Sequence, residues 1–400
     1  MKLNRGQDEA IKHGNGPCMV LAPPGSGKTL IVTERTRYLI EESGVRPDQI
    51  LVITFTRYAA REMKERFERL TAGKNYPVTF GTFHSIFYGI LKCAYGIGAN
   101  NLMSEKESSV LLQEVLDQTD IESTPEVEDE EELVRELLRE VGMVKNGLCH
   151  LKDFHSKYLT QDEFAEVFRS YEHQKKELKK FDFDDMLVQC YALFRKKPEI
   201  LQGWQKRFQY ILIDEFQDIN RVQYEVIRML AAPRYNLFVV GDDDQSIYGF
   251  RGAKPELMLY MKQEFPSLRT ISLTVNYRST EFITGAAARV ILHNDTRFYK
   301  RVQSFRGRGQ NVHVQEVLDE QEEAQYVTEE IQKKLETALD AALMLYLLHE
   351  APEEDQNMET ILYMIENGGA KEEDDDYQSP LDLLFEALEE EQPDHIAVRQ

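Results

Sequence analysis

Ala22-Pro23-Pro24-Gly25-Ser26-Gly27-Lys28-Thr29 decides the fold of this 400-residue chain. The stretch has the form of a phosphate-binding loop, in which Ala or Gly is followed by four residues and then by Gly-Lys and Ser or Thr. The glycines let backbone N–H groups face a phosphate, Lys28 reaches the β- and γ-phosphates, and the Thr29 hydroxyl ligates Mg²⁺. An apolar run precedes the loop and a helical pattern follows it, as the motif requires. The predicted nucleotide-binding residues are therefore Ala22, Gly25, Ser26, Gly27, Lys28 and Thr29.

A second signal is the hydrophobic segment Ile211-Leu212-Ile213, which ends in Asp214 and Glu215. Asp214 would hold Mg²⁺, directly or through water, and Glu215 would orient and deprotonate the attacking water. Acid pairs are common at protein surfaces, so this pair is a weak signal alone. It gains weight from the loop that contains Lys28.

A third polar segment, Gly241-Asp242-Asp243-Asp244-Gln245, follows another apolar run. Parallel sheets place ligands at the carboxyl ends of their strands, which is where Asp242 and Gln245 would lie. Gln245 could there hydrogen-bond a γ-phosphate and report its loss. Taken alone, the segment is equally compatible with a polar turn.

Apolar strand patterns and helical patterns alternate along much of the chain. Strands are predicted at residues 19–22, 50–55, 210–213 and 236–240, with a helix over residues 57–70. Alternation of this kind predicts an α/β fold with a parallel sheet that is covered on both faces. Between about residues 87 and 180 the pattern is helical, which indicates an inserted helical domain.

The net charge of −22 lies in the last part of the chain. Residues 311–400 hold 4 basic and 26 acidic side chains, so the first 310 residues are neutral overall. In that first part, an acidic stretch at residues 101–140 separates two basic blocks. A local basic groove for DNA is therefore compatible with the acidic whole-chain charge.

The cysteines and the apolar runs bear on the compartment. The four cysteines are far apart and none has zinc-ligand spacing, which predicts a reduced, cytoplasmic protein. The first residues lack the apolar core of a signal peptide, and the most apolar run, residues 338–348, is too short to span a bilayer. No membrane contact is expected.

Seven motifs follow one another in the order known from a single family. They are Leu3-Asn4-Arg5-Gly6-Gln7, Ile53-Thr54-Phe55-Thr56-Arg57-Tyr58-Ala59-Ala60, Gly81-Thr82-Phe83-His84-Ser85, Phe181-Asp182-Phe183-Asp184-Asp185-Met186-Leu187, Asp214-Glu215-Phe216-Gln217-Asp218, GDDDQSIYGFRG over residues 241–252, and Val275-Asn276-Tyr277-Arg278-Ser279. Together they resemble the UvrD/Rep/PcrA-like superfamily 1 DNA helicases over residues 2–334. The resemblance implies RecA-like P-loop domains, with ATP and Mg²⁺ as cofactors.

The resemblance also implies roles for individual residues. Gln7 reads the adenine, Tyr277 stacks on it, and Arg278 reaches the γ-phosphate, so that Lys28, Glu215, Gln245 and Arg278 form the catalytic set. Contacts with single-stranded DNA are implied for Phe55, Thr56, His84, Tyr248, Phe250 and Arg251. Aromatic faces stack on any base at roughly 1–3 kcal/mol each, and an arginine adds phosphate or cation–π contact. Tyr248 and Phe250 could instead be core residues, and His84 could instead make a structural hydrogen bond.

The expected domains follow from the patterns and the resemblance together. Residues 1–86 and 181–270 form the first RecA-like domain, 87–180 the inserted helical domain, and 271–334 a partial second RecA-like domain that starts at a strand near Ser272. Residues 335–400 form an acidic helical tail of different origin, which resembles the helical segment of TraG-type conjugative coupling ATPases. An unrelated acidic helical cap is the alternative, and either form of tail could bind a protein partner.

Two departures from the family pattern lie in the motifs, and two motifs were not found. Leu30 stands where relatives often have Arg, and Arg57-Tyr58 replaces an Asn-Lys pair. Motifs V and VI are expected to be absent, and with them a second arginine for the transferred phosphate. The expected function is an ATP-dependent helicase of 3′→5′ polarity that acts on single-stranded or tailed duplex DNA. The alternative is a truncated or chimeric module that binds ATP and DNA with little unwinding.

Overall fold

The computed structural model describes residues 3–121, 129–294 and 297–348, and the side chains of Arg251 and of residues 336–348 are outside the description. The chain divides into two compact units, Met1–Val312 and His313–Gln400. Of the predicted acidic tail, residues 335–400, only residues 335–348 lie within the described residues.

The described elements alternate between strands and helices through most of the first unit. The strands are β1 Cys18–Leu21, β2 Ile50–Thr54, β3 Thr79–Thr82, β4 Tyr210–Ile213, β5 Leu237–Gly241, β6 Arg269–Ser272, β7 Val275–Asn276 and β8 Gln303–Ser304. The helices are α1 Arg5–Ile11, α2 Lys28–Glu41, α3 Arg57–Leu70, α4 Phe83–Tyr95, α5 Glu105–Gln118, α6 Glu130–Gly147, α7 Gln161–Glu177, α8 Phe183–Lys196, α9 Pro198–Arg207, α10 Arg221–Ala231, α11 Glu256–Glu264, α12 Glu281–Ile291 and α13 Glu320–Leu348.

The centre of the first unit is a six-stranded parallel sheet with the order β3-β2-β4-β5-β1-β6. Side chains of its strands alternate between two cores. In β1, Met19 and Leu21 face a core shared with α4, α8 and α10, whereas Cys18 and Val20 face the core under α1, α2 and α3. This double burial explains why the central strands are continuous apolar runs, and it confirms the predicted α/β parallel sheet.

The helical insertion has a core of its own. Buried side chains of α5, α6 and α7 form it, among them Leu112, Leu137 and Phe164. Its first buried member is Met103, because α4 packs in the sheet core through Phe87. The separate core therefore begins later than residue 87, where the helical pattern of the sequence starts.

The strand near Ser272 is where the sequence interpretation was wrong. That strand, β6, pairs in parallel with β1, with Ile271 opposite Val20 and Ser272 opposite Leu21. It therefore closes one edge of the first sheet and does not open a second α/β unit. A short parallel pair, β7 with β8, follows it, with α12 between these two strands.

In the second unit the structure describes residues 313–348, which include α13. Its side chains are largely exposed as far as Leu335. Within the part of the chain that the structure describes, no helix is both long and apolar enough to cross a bilayer.

Candidate nucleotide-binding cleft and nucleic-acid interface

The loop between β1 and α2 adopts a conformation that favours glycine at two positions. Gly25 has φ 68° and Gly27 has φ 92°, both in the left-handed region, and Gly27 is the N-cap of the 14-residue helix α2. A Cβ on Gly25 would also lie 2.6 Å from Asn276 Oδ1. The loop thus exposes the N-terminus of a long helix, which favours an anion such as phosphate.

Two acids at the end of β4 face this loop. Lys28 Nζ lies 3.2 Å from Glu215 Oε2, and the Glu215 N–H donates to Asp214 Oδ1 at 3.0 Å. Burial and the charge of Glu215 raise the pKa of Asp214 to about 7, although the charge of Lys28 opposes this shift. A buried carboxylate with no full counter-charge is the kind of ligand that a divalent cation would satisfy.

Gln245, which follows β5, is a second polar partner of the Lys28 ammonium. Its Oε1 accepts from Lys28 Nζ at 3.2 Å and its Nε2 donates to Asp242 Oδ2 at 2.6 Å. The sheet places β5 between β1 and β4, so the carboxyl ends of these strands bring the three predicted segments together. Motifs that lie far apart in the sequence thus form one site.

Gln217 links the Glu215 carboxylate, after β4, to the backbone N–H of Asp242, after β5. Gln217 donates through Nε2 to Glu215 Oε2 at 2.9 Å, and its Oε1 accepts from the Asp242 N–H at 3.0 Å. Glu215 has φ 51°, an unfavourable value for a residue with a side chain. Such strain persists where surrounding contacts hold it, and it is common at functional sites.

The cleft has a volume of about 430 Å³. Its lining contains nine of the predicted site residues, together with others that the motifs did not identify. The lining residues are Gln7, Pro24, Gly25, Gly27, Lys28, Thr29, Leu30, Arg66, Glu215, Gln245, Tyr277 and Arg278. Ala22 and Ser26 are buried in the loop beneath, and Asp214 is buried beside Glu215.

The first helix supports one end of the cleft. Gln7 donates through Nε2 to the Ser26 carbonyl at 3.0 Å, and Asn4 donates through Nδ2 to the Tyr277 hydroxyl at 2.9 Å. The buried Arg35 of α2 donates to the carbonyls of Ala10, Ile11, His13 and Gly14 at the end of α1. The helix that carries Gln7 is thereby fixed to the helix that begins at Lys28.

Arg66 is a lining residue that the sequence interpretation missed. It lies on α3, in the helix that follows β2, and it reaches the cleft from a different element than any nucleotide motif. Helical periodicity alone describes it as one of several charged residues on an exposed face. The position of Arg66 in the cleft becomes evident only from the tertiary structure, which places α3 beside α2.

An aromatic cluster forms at the carboxyl ends of β2 and β5. The rings of Phe55 and Tyr248 stack with centroids 5.0 Å apart and an interplanar angle of 24°. The ring of Phe250, which is exposed, lies 6.0 Å from that of Tyr248. The Arg139 guanidinium of α6 lies 5.1 Å from the Phe250 centroid. Tyr248 and Phe250 are therefore surface residues of a loop and not members of the described cores.

The remaining predicted DNA contacts have different surroundings. Thr56 is exposed, and its hydroxyl accepts from the Ala59 N–H at 3.1 Å as the N-cap of α3. Burial and the charge of Arg57 lower the pKa of His84, whose ring meets Phe183 edge-on at 5.8 Å. Among the described residues the His84 ring has no hydrogen-bond partner. Arg251 lies in the one-turn helix Gly249–Arg251, and only its backbone is described.

This geometry defines a P-loop nucleotide-binding protein of RecA-like fold, with an aromatic cluster of half-buried Phe55 and Tyr248 and exposed Phe250 at the same edge of the sheet. Residues 3–266 match the UvrD/REP helicase N-terminal domain, and residues 271–361 match the UvrD-like helicase C-terminal domain. The chain therefore belongs to the UvrD/REP helicase family. The second match extends past residue 335, where a tail of different origin was expected to begin.

Two curated relatives show the extent of the similarity. The chain is 40% identical over 340 residues to the putative ATP-dependent DNA helicase YjcD of Bacillus subtilis, a match that covers 84% of this chain and 44% of YjcD. It is 37% identical over 336 residues to the ATP-dependent DNA helicase PcrA of Staphylococcus aureus, covering 83% of this chain and 45% of PcrA. The chain thus spans less than half the length of these relatives.

Proposed function

We propose that this chain binds Mg²⁺-ATP and single-stranded DNA and couples ATP hydrolysis to movement along the strand with 3′→5′ polarity. The observation that carries the proposal is the placement of Lys28 opposite Glu215, with Asp214 next to it, at the mouth of a glycine loop. The two relatives named as ATP-dependent DNA helicases support the reaction class. The polarity is taken from the family resemblance.

Lys28 and the residues around it would have different roles at the phosphates of bound ATP. Bound Mg²⁺-ATP supplies a phosphoanhydride bond whose cleavage releases free energy. Lys28 would neutralise phosphate charge, while Thr29 and Asp214 would hold the Mg²⁺ ion. Lys28 would then exchange its present contact with Glu215 for phosphate oxygens, which leaves the Glu215 carboxylate available to orient and deprotonate water.

Two further residues would respond to the third phosphate. Gln245 presents its amide beside Lys28, and Arg278 lines the same cleft from the segment after β7. The Tyr277 N–H donates to the Gly25 carbonyl at 2.9 Å, so this segment directly contacts the phosphate-binding loop. A change in the loop on hydrolysis would therefore be transmitted to the segment that begins the C-terminal family domain.

The adenine would lie between Gln7, Tyr277 and Arg66. The Gln7 side-chain oxygen Oε1 accepts from the Asn4 N–H, and one Nε2 hydrogen is donated to the Ser26 carbonyl. The second amide hydrogen of Gln7 remains for a ring nitrogen of the base. The planar Arg66 guanidinium and the Tyr277 ring are both groups that stack on an aromatic face.

Single-stranded DNA would replace ring–ring contacts by ring–base contacts. Phe55 and Tyr248 stack on each other at 5.0 Å, and a base could insert between them or stack on Phe250. Thr56 and Arg251 would contact the sugar-phosphate backbone of the DNA. His84, neutral near pH 7, would act as a hydrogen-bonding group toward the DNA. Arg139 adds a cation at this surface.

A paired assay tests the proposal. ATP hydrolysis is measured with and without single-stranded DNA, and strand displacement is measured on duplexes with a 3′ or a 5′ tail. The proposal predicts hydrolysis that DNA stimulates and unwinding of the 3′-tailed duplex only. Binding of ATP and DNA without unwinding would favour the alternative of a binding module, and absence of nucleotide binding would reject both.

A further inference from the structure

The three consecutive aspartates after β5 are held by one short segment of the chain. Lys300 Nζ lies 2.8 Å from Asp244 Oδ2 and also forms ion pairs with Asp242 and Asp243. Arg297 makes two hydrogen bonds to the Asp244 carboxylate, at 2.8 Å and 2.6 Å. Residues 297–300 therefore bring two positive charges to three carboxylates.

The ion pairs of Lys300 are buried. The side chain of Lys300 is 2% exposed and that of Asp242 is 1% exposed. Burial opposes the charged form of Lys300, but the carboxylates, Asp242 foremost, raise its pKa above the ordinary value. Lys300 therefore carries a positive charge, and its removal would leave the negative charges of the adjacent buried carboxylates without a counter-charge.

The same segment is anchored on its other side. The Phe298 N–H donates to Asp243 Oδ2 at 2.7 Å, and the Phe298 ring packs in the sheet core shared with α8 and α10. Lys300 is consequently placed by packing as well as by charge. Arg301, the next residue, is exposed.

Asp242 connects this charge cluster to the nucleotide cleft. Its Oδ1 is the partner of Lys300, and its Oδ2 accepts from Gln245 Nε2 at 2.6 Å. A carboxylate only accepts and an ammonium only donates. Because Gln245 lies between Asp242 and Lys28, its amide can satisfy both in a single orientation, with the oxygen toward Lys28.

We propose that Lys300 is a positioning residue for Gln245, because it holds Asp242 in the orientation that fixes the Gln245 amide with its oxygen toward Lys28 and its second Nε2 hydrogen left for the third phosphate. The inference rests on the proposed function. It assigns to the 297–300 segment, which follows α12, an indirect part in recognising the state of the nucleotide. Lys300 itself touches no substrate, and its effect passes through Asp242.

A double-mutant cycle tests this role by nucleotide affinity. Fluorescence titrations compare ADP with a non-hydrolysable ATP analogue for the wild-type chain, Lys300→Met, Gln245→Ala and the double variant. Lys300→Met should reduce the preference for the analogue over ADP by about tenfold, as expected for loss of one charge-assisted hydrogen bond. Gln245→Ala should have a similar effect, and the double variant should show no further loss. Arg301→Met is the control and should retain the wild-type preference.

Several outcomes would overturn the proposal. A wild-type preference in Lys300→Met, an equal loss of affinity for both nucleotides, or additive effects in the double variant would each show that Lys300 does not act through Gln245. Lys300→Gln replaces the methionine variant in the cycle if thermal unfolding shows that Lys300→Met does not fold. A wild-type chain that binds neither nucleotide would reject the proposed function itself and this inference with it.

Discussion

The nucleotide cleft and the aromatic cluster lie at the same edge of one sheet but are constructed differently. In the cleft, Lys28 and Gln245 have polar partners within 3.2 Å, and the buried Asp214 accepts from a backbone N–H. In the cluster, Phe55 and Tyr248 contact each other through ring faces, and the neighbouring Phe250 is exposed.

This difference predicts two kinds of response to mutation. The polar groups of the cleft form a connected network, so the loss of one member leaves others buried without partners. The aromatic rings contribute separately, because stacking on a base depends on each face and not on an exact hydrogen-bond geometry. Changes in the cleft should therefore abolish activity, whereas changes in the cluster should reduce affinity step by step.

The largest expected effect is that of Lys28→Ala. Removal of the ammonium takes away the charge that faces the phosphates, and hydrolysis should fall by about 10²–10³-fold or more. Nucleotide affinity is measured by fluorescence and turnover by phosphate release. Lys64→Ala, at an exposed position of α3, is the control. A modest loss in Lys28→Ala, similar to that of the control, would remove the distinction between cleft and cluster.

A smaller and graded effect is expected in the aromatic cluster. Phe55→Leu and Tyr248→Leu should each weaken binding of an oligothymidylate by about tenfold, as loss of one stacking contact implies. Nucleotide affinity in the absence of DNA should stay within about twofold of wild type, because neither ring lines the nucleotide cleft. Fluorescence anisotropy measures the DNA affinity, and Tyr95→Leu, at an exposed ring on the last turn of α4, is the control. Loss of nucleotide binding together with DNA binding would show that the two regions are not separable.

The smallest expected effect concerns the pH dependence of stability. Burial, together with the charge of Glu215, raises the pKa of Asp214 to about 7 and that of Asp218 to about 6. The folded chain therefore binds these protons more tightly than the unfolded chain, whose aspartate pKa is near the ordinary value of 3.8. The stability that this gives is complete below that value and is lost as the pH rises through about 6 to 7.

Thermal unfolding of the nucleotide-free chain measures this effect. The contribution of Asp214 should lower the unfolding midpoint as the pH rises from about 5 to about 7.5, and Asp214→Asn should flatten that slope. Asp48→Asn, at an exposed position, should leave the slope unchanged. An identical slope in wild type and Asp214→Asn would contradict the raised pKa.

The sequence predicted most of the cleft because its residues follow strands in short motifs. The bounds of α3 and β4 agree with the predicted segments, and Lys28, Glu215 and Gln245 meet as their strand ends require. What could not be predicted depends on tertiary placement. Arg66, Arg139 and Lys300 lie in segments with no local signature, and each reaches a site through packing of its helix or loop.

The strand β6 illustrates the same limit. The sequence predicted a strand near Ser272, but a strand pattern does not specify its partner. The pairing of Ile271 with Val20 places it at the edge of the first sheet. The predicted second α/β unit therefore included a strand that pairs in the first sheet.

The most direct measurement is a comparison of ATP binding and ATP hydrolysis in Glu215→Gln. If Lys28, Asp214 and Glu215 hold one triphosphate with Glu215 as the base, this variant keeps ATP affinity within a few-fold of wild type. Its DNA-stimulated hydrolysis falls by about 10²–10⁴-fold, the range attributed to a general base. Hydrolysis at the wild-type rate would contradict the assignment of the cleft.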